Sequence, residues 1–308
     1  MLLKLLLKRE KMGKPKLNFD SLYQKLTDKN ISFNNHSKDE VIEYLKHRSY
    51  YYKISSDSKN FPKTSNGEYE NVDFLDLTNC ASLDIRIREL LLLMSLDVEH
   101  SLKTRFMALL TEDDQEDGYS IIEEFEDQFR DKFADVIAQF RANQYKKDMF
   151  KKRPTLSVWV FLEIVSYGTF TSLAELYKEK KELKKDSLYT NQHKFIKNIR
   201  NSCAHNNVFL INLFDKDDHI PRPDAQTKSY ASTMKINLGL VHYPKIIDII
   251  NLFYLHKKTC SAELNKRRIE ECDLIIHKYT DNIKTFEKSR IKKFFDSVFK
   301  KCIDFLKE

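Results

Sequence analysis

Glycine and proline are scarce in this chain, with 5 and 6 residues among 308, against roughly 7% and 5% in average proteins. So few breakers argue for long helices and few tight turns. No apolar run approaches the ~18 residues of a membrane span, so no membrane partner is expected. The opening Met1-Leu-Leu-Lys-Leu-Leu-Leu-Lys is too short and too interrupted for a signal peptide. Translation is expected to start at Met12, which makes residues 1–11 an upstream extension. The cysteines are odd in number and widely spaced, at Cys80, Cys203, Cys260, Cys272 and Cys302, with no Cys-x-x-Cys. That argues against structural zinc and a disulfide framework, and a reducing cytoplasm is the simplest home. The sequence has no glycine-rich phosphate loop, no His/Cys metal cluster and no Gly-x-Ser-x-Gly elbow, which removes most enzyme classes. No cofactor is expected.

Charged residues make up 32% of the chain and hydrophobic ones 41%. This fits a folded protein of amphipathic helices. The net charge of +7 permits an acidic partner such as RNA, although a merely Lys-rich composition gives the same balance. The stretch that organises the chain is 186–207. Leu188, Phe195, Ile196, Ile199 and Cys203 recur at helix spacing. Ser187 is a candidate N-cap, and Asn206-Asn207 are candidate terminators. Asn201 and His205 are four residues apart and share a face. Arg200 is rotated about 100° from Asn201, close to the edge of that face.

One helix end thus offers an imidazole, an amide and a permanent cation. Such a set suits metal-free RNA cleavage by attack of a ribose 2′-hydroxyl on the adjacent phosphate. Histidine can remove or donate a proton near neutrality. Arginine matches phosphate oxygens with its fork. Asparagine can orient the imidazole or bond the phosphate. The bland reading of the same residues is a histidine favoured by the helix dipole and an Arg-Asn pair on ordinary surface.

Arg200-Asn201-x-x-x-His205 resembles the Arg-Asn-x-x-x-His signature of HEPN ribonucleases. The block Arg200-Asn-Ser-Cys-Ala-His205, with Trp159, Glu163 and Ser166-Tyr167-Gly168-Thr169-Phe170 upstream, is similar to the Abi-like (AbiD/AbiF) abortive-infection family of bacterial phage-defence proteins. Tyr44-Leu45 with Tyr50-Tyr51-Tyr52, and Leu96 through Lys103, resemble two further segments of that family. The resemblance covers about residues 14–214. It implies an all-α fold, a HEPN-type helical bundle with extra N- and C-terminal helices. It also implies a homodimer in which two motifs form a composite active site, and an RNA partner, encoded beside the protein, able to hold it inactive. At Lys103 the family usually has arginine. A lysine cannot make the bidentate contact, which weakens a phosphate role there.

Three segments are expected: an N-terminal helical segment and loop (1–75), a HEPN-like core (76–214), and a loop with C-terminal helices (215–308). In the first, Asp20 and Ser37 are candidate caps for two short helices, and 54–71 reads as a loop or short hairpin. Arg48 and Tyr51 belong to a basic–aromatic run able to hold RNA or simply to pack. The strongest helix is expected over 76–110. Its Leu90–Leu93 run implies burial on more than one side. On it Glu99 either bonds Lys103 four residues on or positions Arg200 or His205.

A second long helix is expected over 120–149, ended by Pro154, and a third over 155–166 with Trp159 as a core anchor. Glu163 is either a buried partner for a catalytic cation or a solvated acid. The lysines at 178–185 are a solvated face or an electrostatic guide for a phosphate chain. Residues 215–230, with Asp215, Asp217 and Asp218, read as an exposed loop. Long helices are expected from Pro244 to about Tyr279 and over 284–307.

The resulting expectation is a metal-independent endoribonuclease of a phage-defence or toxin–antitoxin system, leaving 2′,3′-cyclic phosphate and 5′-hydroxyl ends. Arg200, Asn201 and His205 are the catalytic candidates, supported by Glu99 and Glu163. Lys103, Arg105, Lys194, Lys197, Arg48 and Tyr51 are the candidate RNA contacts. The alternative is a non-catalytic RNA-binding helical protein. A protein-binding scaffold is a third reading, set apart by affinity that does not depend on salt.

Overall fold

A computed structural model describes residues 15–153, 155–184, 186–215, 217 and 219–308. The expectations placed on Met12 and residues 1–11, on Pro154, on Lys185 and on Asp218 lie outside the described residues. The fold is all-α. Among the described residues the only strand pairing with more than one residue on each side is two residues long: Ile31–Ser32 runs parallel to Val72–Asp73. Two compact units form. The first holds the described residues up to Ile85, with Leu210–Asn212 and His277–Lys293. The second holds Arg86–Phe209, Leu213–Ile276 and Phe294–Glu308.

In the first unit, helix Phe19–Thr27 is capped by Asn18, whose side chain accepts from Ser21 N, and not by Asp20. Asp20 instead sits in the first turn and pairs with Lys38 at 2.6 Å. Ser37 caps helix Lys38–His47 as expected, and a reciprocal bond with Glu40 completes a capping box. The polar stretch expected to be a loop from residue 54 starts as helix Tyr51–Asp57. Its Ile54 is fully buried, and one buried anchor outweighs a weakly helical composition.

The long helix runs Phe74–Thr111. Ile87, Leu90, Leu91, Met94, Val98, Leu102 and Phe106 form its buried stripe in the second unit. In the four-leucine run Leu90 and Leu91 are buried and Leu93 is 39% exposed, as is Leu96 one turn on at 41%.

The rest of the second unit is built from shorter helices than the periodicity predicts. The stretch 120–149 divides into Ser120–Gln128, Arg130–Ala142 and Lys147–Lys152. Phe129 leaves the helical region at the first break, with φ −127° and ψ 47°. Helices Val158–Ile164 and Tyr167–Lys180 follow. Expected as loop, 215–230 contains the start of helix Ala225–Thr233, capped by Asp224. The single helix expected after Pro244 is two, Pro244–Thr259 and Ala262–Asp281. The last helix is likewise interrupted, with a π-helical turn at Phe295–Phe299.

Trp159 is not a core anchor. Helix Val158–Ile164 is only seven residues long, and Val158, Phe161 and Leu162 take its inner side. The indole lies outside, 45% exposed, edge-on to Tyr119 and over Gly118. Gly118 has φ +79°, and a Cβ there would meet Trp159 Cζ3 at 2.5 Å. Gly118→Ala is therefore expected to destabilise the protein by about 1–3 kcal/mol, read as a lower urea midpoint. An unchanged midpoint would mean that neither the left-handed turn nor the indole contact contributes to stability.

Candidate active site

The motif helix is shorter than its apolar periodicity predicts. It runs His193–Ala204, after a 3₁₀ turn at Thr190–Gln192. Ser187 does not cap it, because Tyr189 takes a left-handed conformation (φ 50°) and separates 186–188 from the helix. The C-terminal end follows expectation. His205 is the last half-helical residue, Asn206 is left-handed at φ 56°, and Asn207 N donates to Ser202 O at 3.0 Å. That is a Schellman closure with asparagine in the glycine role.

Phe195, Ile196, Ile199 and Cys203 are buried, while Lys194, Lys197, Asn198, Asn201, Ala204 and His205 are exposed. Spacings of three and four put the exposed set on one face. Asn201 and His205 stand one turn apart on it, and His205 N donates to Asn201 O at 3.0 Å. Arg200 is half-buried at its edge.

Glu99 on the long helix meets two of the three expected partners, Lys103 and Arg200. Its Oε1 is 3.0 Å from Lys103 Nζ, and its Oε2 is 3.1 Å from Arg200 Nε. The Arg200 contact lacks hydrogen-bond alignment and is a charge contact. Tyr167, fully buried, feels both charges, and burial beside Glu99 raises its phenol well above the usual tyrosine range. Lys103 is thus held by Glu99 and lies over the Phe170 ring at 5.9 Å.

Three residues absent from the sequence expectation hold the helix. Buried Arg88 donates from Nη1 to Asn206 Oδ1 at 2.6 Å and ties down the turn that carries His205. Buried His193 donates from Nε2 to Leu188 O at 2.9 Å, with Nδ1 3.2 Å from Thr171 Oγ1. Burial lowers its pKa to about 4, so it is neutral near pH 7. Asp248, on helix Pro244–Thr259 against which the motif helix packs, accepts from Asn198 Nδ2 at 3.4 Å. Burial raises it to about 7, against the pull of Asn198, Lys245 and Lys194. None of the three carried a signal: Arg88 and Asp248 contact the motif across 118 and 50 residues, and a histidine opening a helix looks like any other.

The remaining candidates scatter. Glu163 is exposed, Lys146 bonds its carbonyl oxygen, and it lines a surface cavity with Lys152, Arg153 and Trp159. It is the solvated acid of the two alternatives, and no contact with Arg200 is seen. Arg105 is exposed and lies over Tyr189 at 5.8 Å. Lys194 and Lys197 share the motif face. Arg48 and Tyr51 belong to the first unit. Tyr51 is half-buried between Lys25 and Lys29 at 5.6 and 5.7 Å, and its exposed neighbours are Tyr50 and Tyr52. The lysines at 178–181 are committed elsewhere: Lys180 to Glu116 and Glu124, Lys181 to Asp113, and Lys178 to Thr190.

Among the described residues no group of three or more His, Cys, Asp or Glu is arranged to hold a metal ion. No helix among them is long and apolar enough to cross a membrane. A family model described as Abi-like protein matches residues 43–210. No curated protein and no solved structure matches.

Proposed function

The chain belongs to the Abi-like protein family, and from that premise we propose that it is a metal-independent HEPN endoribonuclease acting in phage defence or as the toxin of a toxin–antitoxin pair. One observation carries the reading. The exposed end of the motif helix presents Asn201 and His205 together, with Arg200 half-buried beside them and charge-paired to Glu99. One imidazole takes the proton of the ribose 2′-hydroxyl as its oxygen attacks the adjacent phosphorus. The 5′-oxygen leaves and takes a proton from a second imidazole. Arg200 neutralises the phosphate as it becomes pentacoordinate. Asn201 orients the imidazole or bonds a phosphate oxygen. The products are a 2′,3′-cyclic phosphate and a 5′-hydroxyl.

Two imidazoles require two motifs, and each chain has one, so the enzyme is a homodimer with a composite site. The long helix offers the surface for it. Leu93 and Leu96, exposed, are rotated about 60–140° from the Arg88–Glu99 stripe that holds the motif helix. In the proposed dimer a second copy covers them, and its own His205 faces this one across the interface. Leu96→Asp is expected to give a monomer by light scattering and to lose cleavage; a monomer of full activity would rule out the composite site. An RNA that occupies the composite site uncut would hold the enzyme inactive.

The test is end-group analysis of RNA cut by the purified protein in EDTA. Cyclic phosphate and 5′-hydroxyl ends are expected. Ends with 3′-hydroxyl and 5′-phosphate, or activity abolished by EDTA, would overturn the mechanism.

A further inference from the structure

Beside the motif helix, on the face it shares with His205, lies a cleft of about 570 Å³. Its walls come from four parts of the second unit: the helix after Ser166, the start of the motif helix, the cap at Asp224, and Lys132. We infer that this cleft takes one unpaired nucleotide of the RNA chain, its phosphate on Lys132, Lys194 and Lys197 and its base against Asn191 and Gln226. The inference rests on the ribonuclease reading for its substrate, and the cleft adds where that substrate is read.

The charge pattern fits one nucleotide better than a bare anion. Three lysines from two elements converge, while Glu175 and Asp224 also line the cleft. Asp224 is occupied in capping its helix, with Thr227 N at 2.8 Å and Thr227 Oγ1 at 2.6 Å. Three lysines against Glu175 and Asp224 leave the lining with a small positive balance, and Asn191 and Gln226 add amide groups to it. Gly168 leaves the wall bare where Lys197 crosses it: a Cβ there would sit 3.2 Å from Lys197 Nζ.

The amide side is built in advance. Gln226 Oε1 accepts from Gln192 Nε2 at 2.8 Å, and Gln226 Nε2 donates to Asp186 Oδ1 at 3.0 Å. Buried, neutral His193 ties Leu188 to Thr171 behind the same wall. A fixed amide facing a pocket of this size suits the edge of an unstacked base, which is how single-stranded RNA is read. Preorganisation lowers the ordering cost of binding. Lys197 is eight residues from His205, about 12 Å along the helix axis, so a single strand covers the distance in a few nucleotides.

The test uses full-length protein carrying His205→Ala, so that binding is measured without cleavage, and a fluorescent 12-nucleotide single-stranded RNA read by anisotropy. Adding Lys132→Ala and Lys197→Ala is expected to weaken binding at least tenfold. The slope of log affinity against log salt should become shallower by up to about 0.7, the value for one phosphate contact on a single strand. Asn191→Ala should reduce the spread in affinity among the four homopolymers while leaving the salt slope alone. Unchanged affinity and slope in the double-lysine variant would overturn the cleft as a nucleotide site. That outcome is separate from failure of the ribonuclease reading, which would show as intact, cleft-dependent binding with no cleavage by the unsubstituted protein.

Discussion

Replacing His205 with alanine is expected to lower RNA cleavage by about 10²–10⁴-fold, the usual contribution of a positioned acid or base, with no loss of folding. The side chain is exposed at the helix end. The turn beneath it is closed by backbone bonds and by Arg88 on Asn206, none of which uses the imidazole. RNA affinity should hold, because the cation Arg200 and the lysines of the face remain. Toxicity on expression should vanish in parallel. Unchanged cleavage in the variant would remove His205 from the chemistry and leave RNA binding as the better account. Arg200→Lys is the companion: it keeps the charge, loses the planar fork, and should retain binding better than turnover.

The largest expected effect on stability lies elsewhere. Asp97 accepts from Arg268 Nε at 2.6 Å and faces His256 Nε2 at 3.1 Å. Both cationic side chains are out of solvent, at 4% and 0% exposure. Arg268 is also clamped by Glu271 at 2.5 Å. Asp97→Ala would leave two buried donors facing a void, and breaking such a pair costs about 3–5 kcal/mol. Chemical denaturation should read it as a much lower midpoint. A change within about 0.5 kcal/mol would mean that the cluster holds nothing together.

The same cluster sets a pH dependence whose sign follows from linkage. Burial opposes the charged form of His256, and the bonds to Asp97, Cys260 and Asn265 outweigh it and hold its pKa at about 9. A raised folded value means that this stabilisation is complete below the unfolded pKa of roughly 6.5 and is lost as pH rises through 9. Burial also opposes the charge on Asp97, and His256 and Arg268 outweigh it and hold it at about 2. Its stabilisation is complete above roughly 3.9 and is lost as pH falls through 2. Stability from this cluster should therefore plateau between about pH 4 and 6.5 and decline toward 9. His256→Gln should flatten the alkaline limb; an unchanged limb would place its origin in other groups.

Long apolar periods and missing breakers were enough to give the class of the fold, because helix spacing is a local property of the chain. The long helix, the cap at Ser37 and the Asn206 terminator were each readable within a few residues. Breaks inside periodic stretches were not. Phe129, Tyr189 and the π-helical turn at 295–299 keep the period but change the backbone, and packing decides that.

Arg200, Asn201 and His205 were legible as one cluster because four-residue spacing puts side chains on one face wherever the helix goes. By itself, then, the sequence determined the helical class, the motif and its face. Only the tertiary structure decided that Glu99 pairs with Arg200 as well as Lys103, that Arg88 and Asp248 hold the motif helix, that the lysines at 178–181 serve ion pairs and hydrogen bonds within the fold, and that Lys132 joins Lys194 and Lys197 around one cleft. Those contacts link positions tens of residues apart. Their energies depend on burial and distance, which no local pattern of residues encodes.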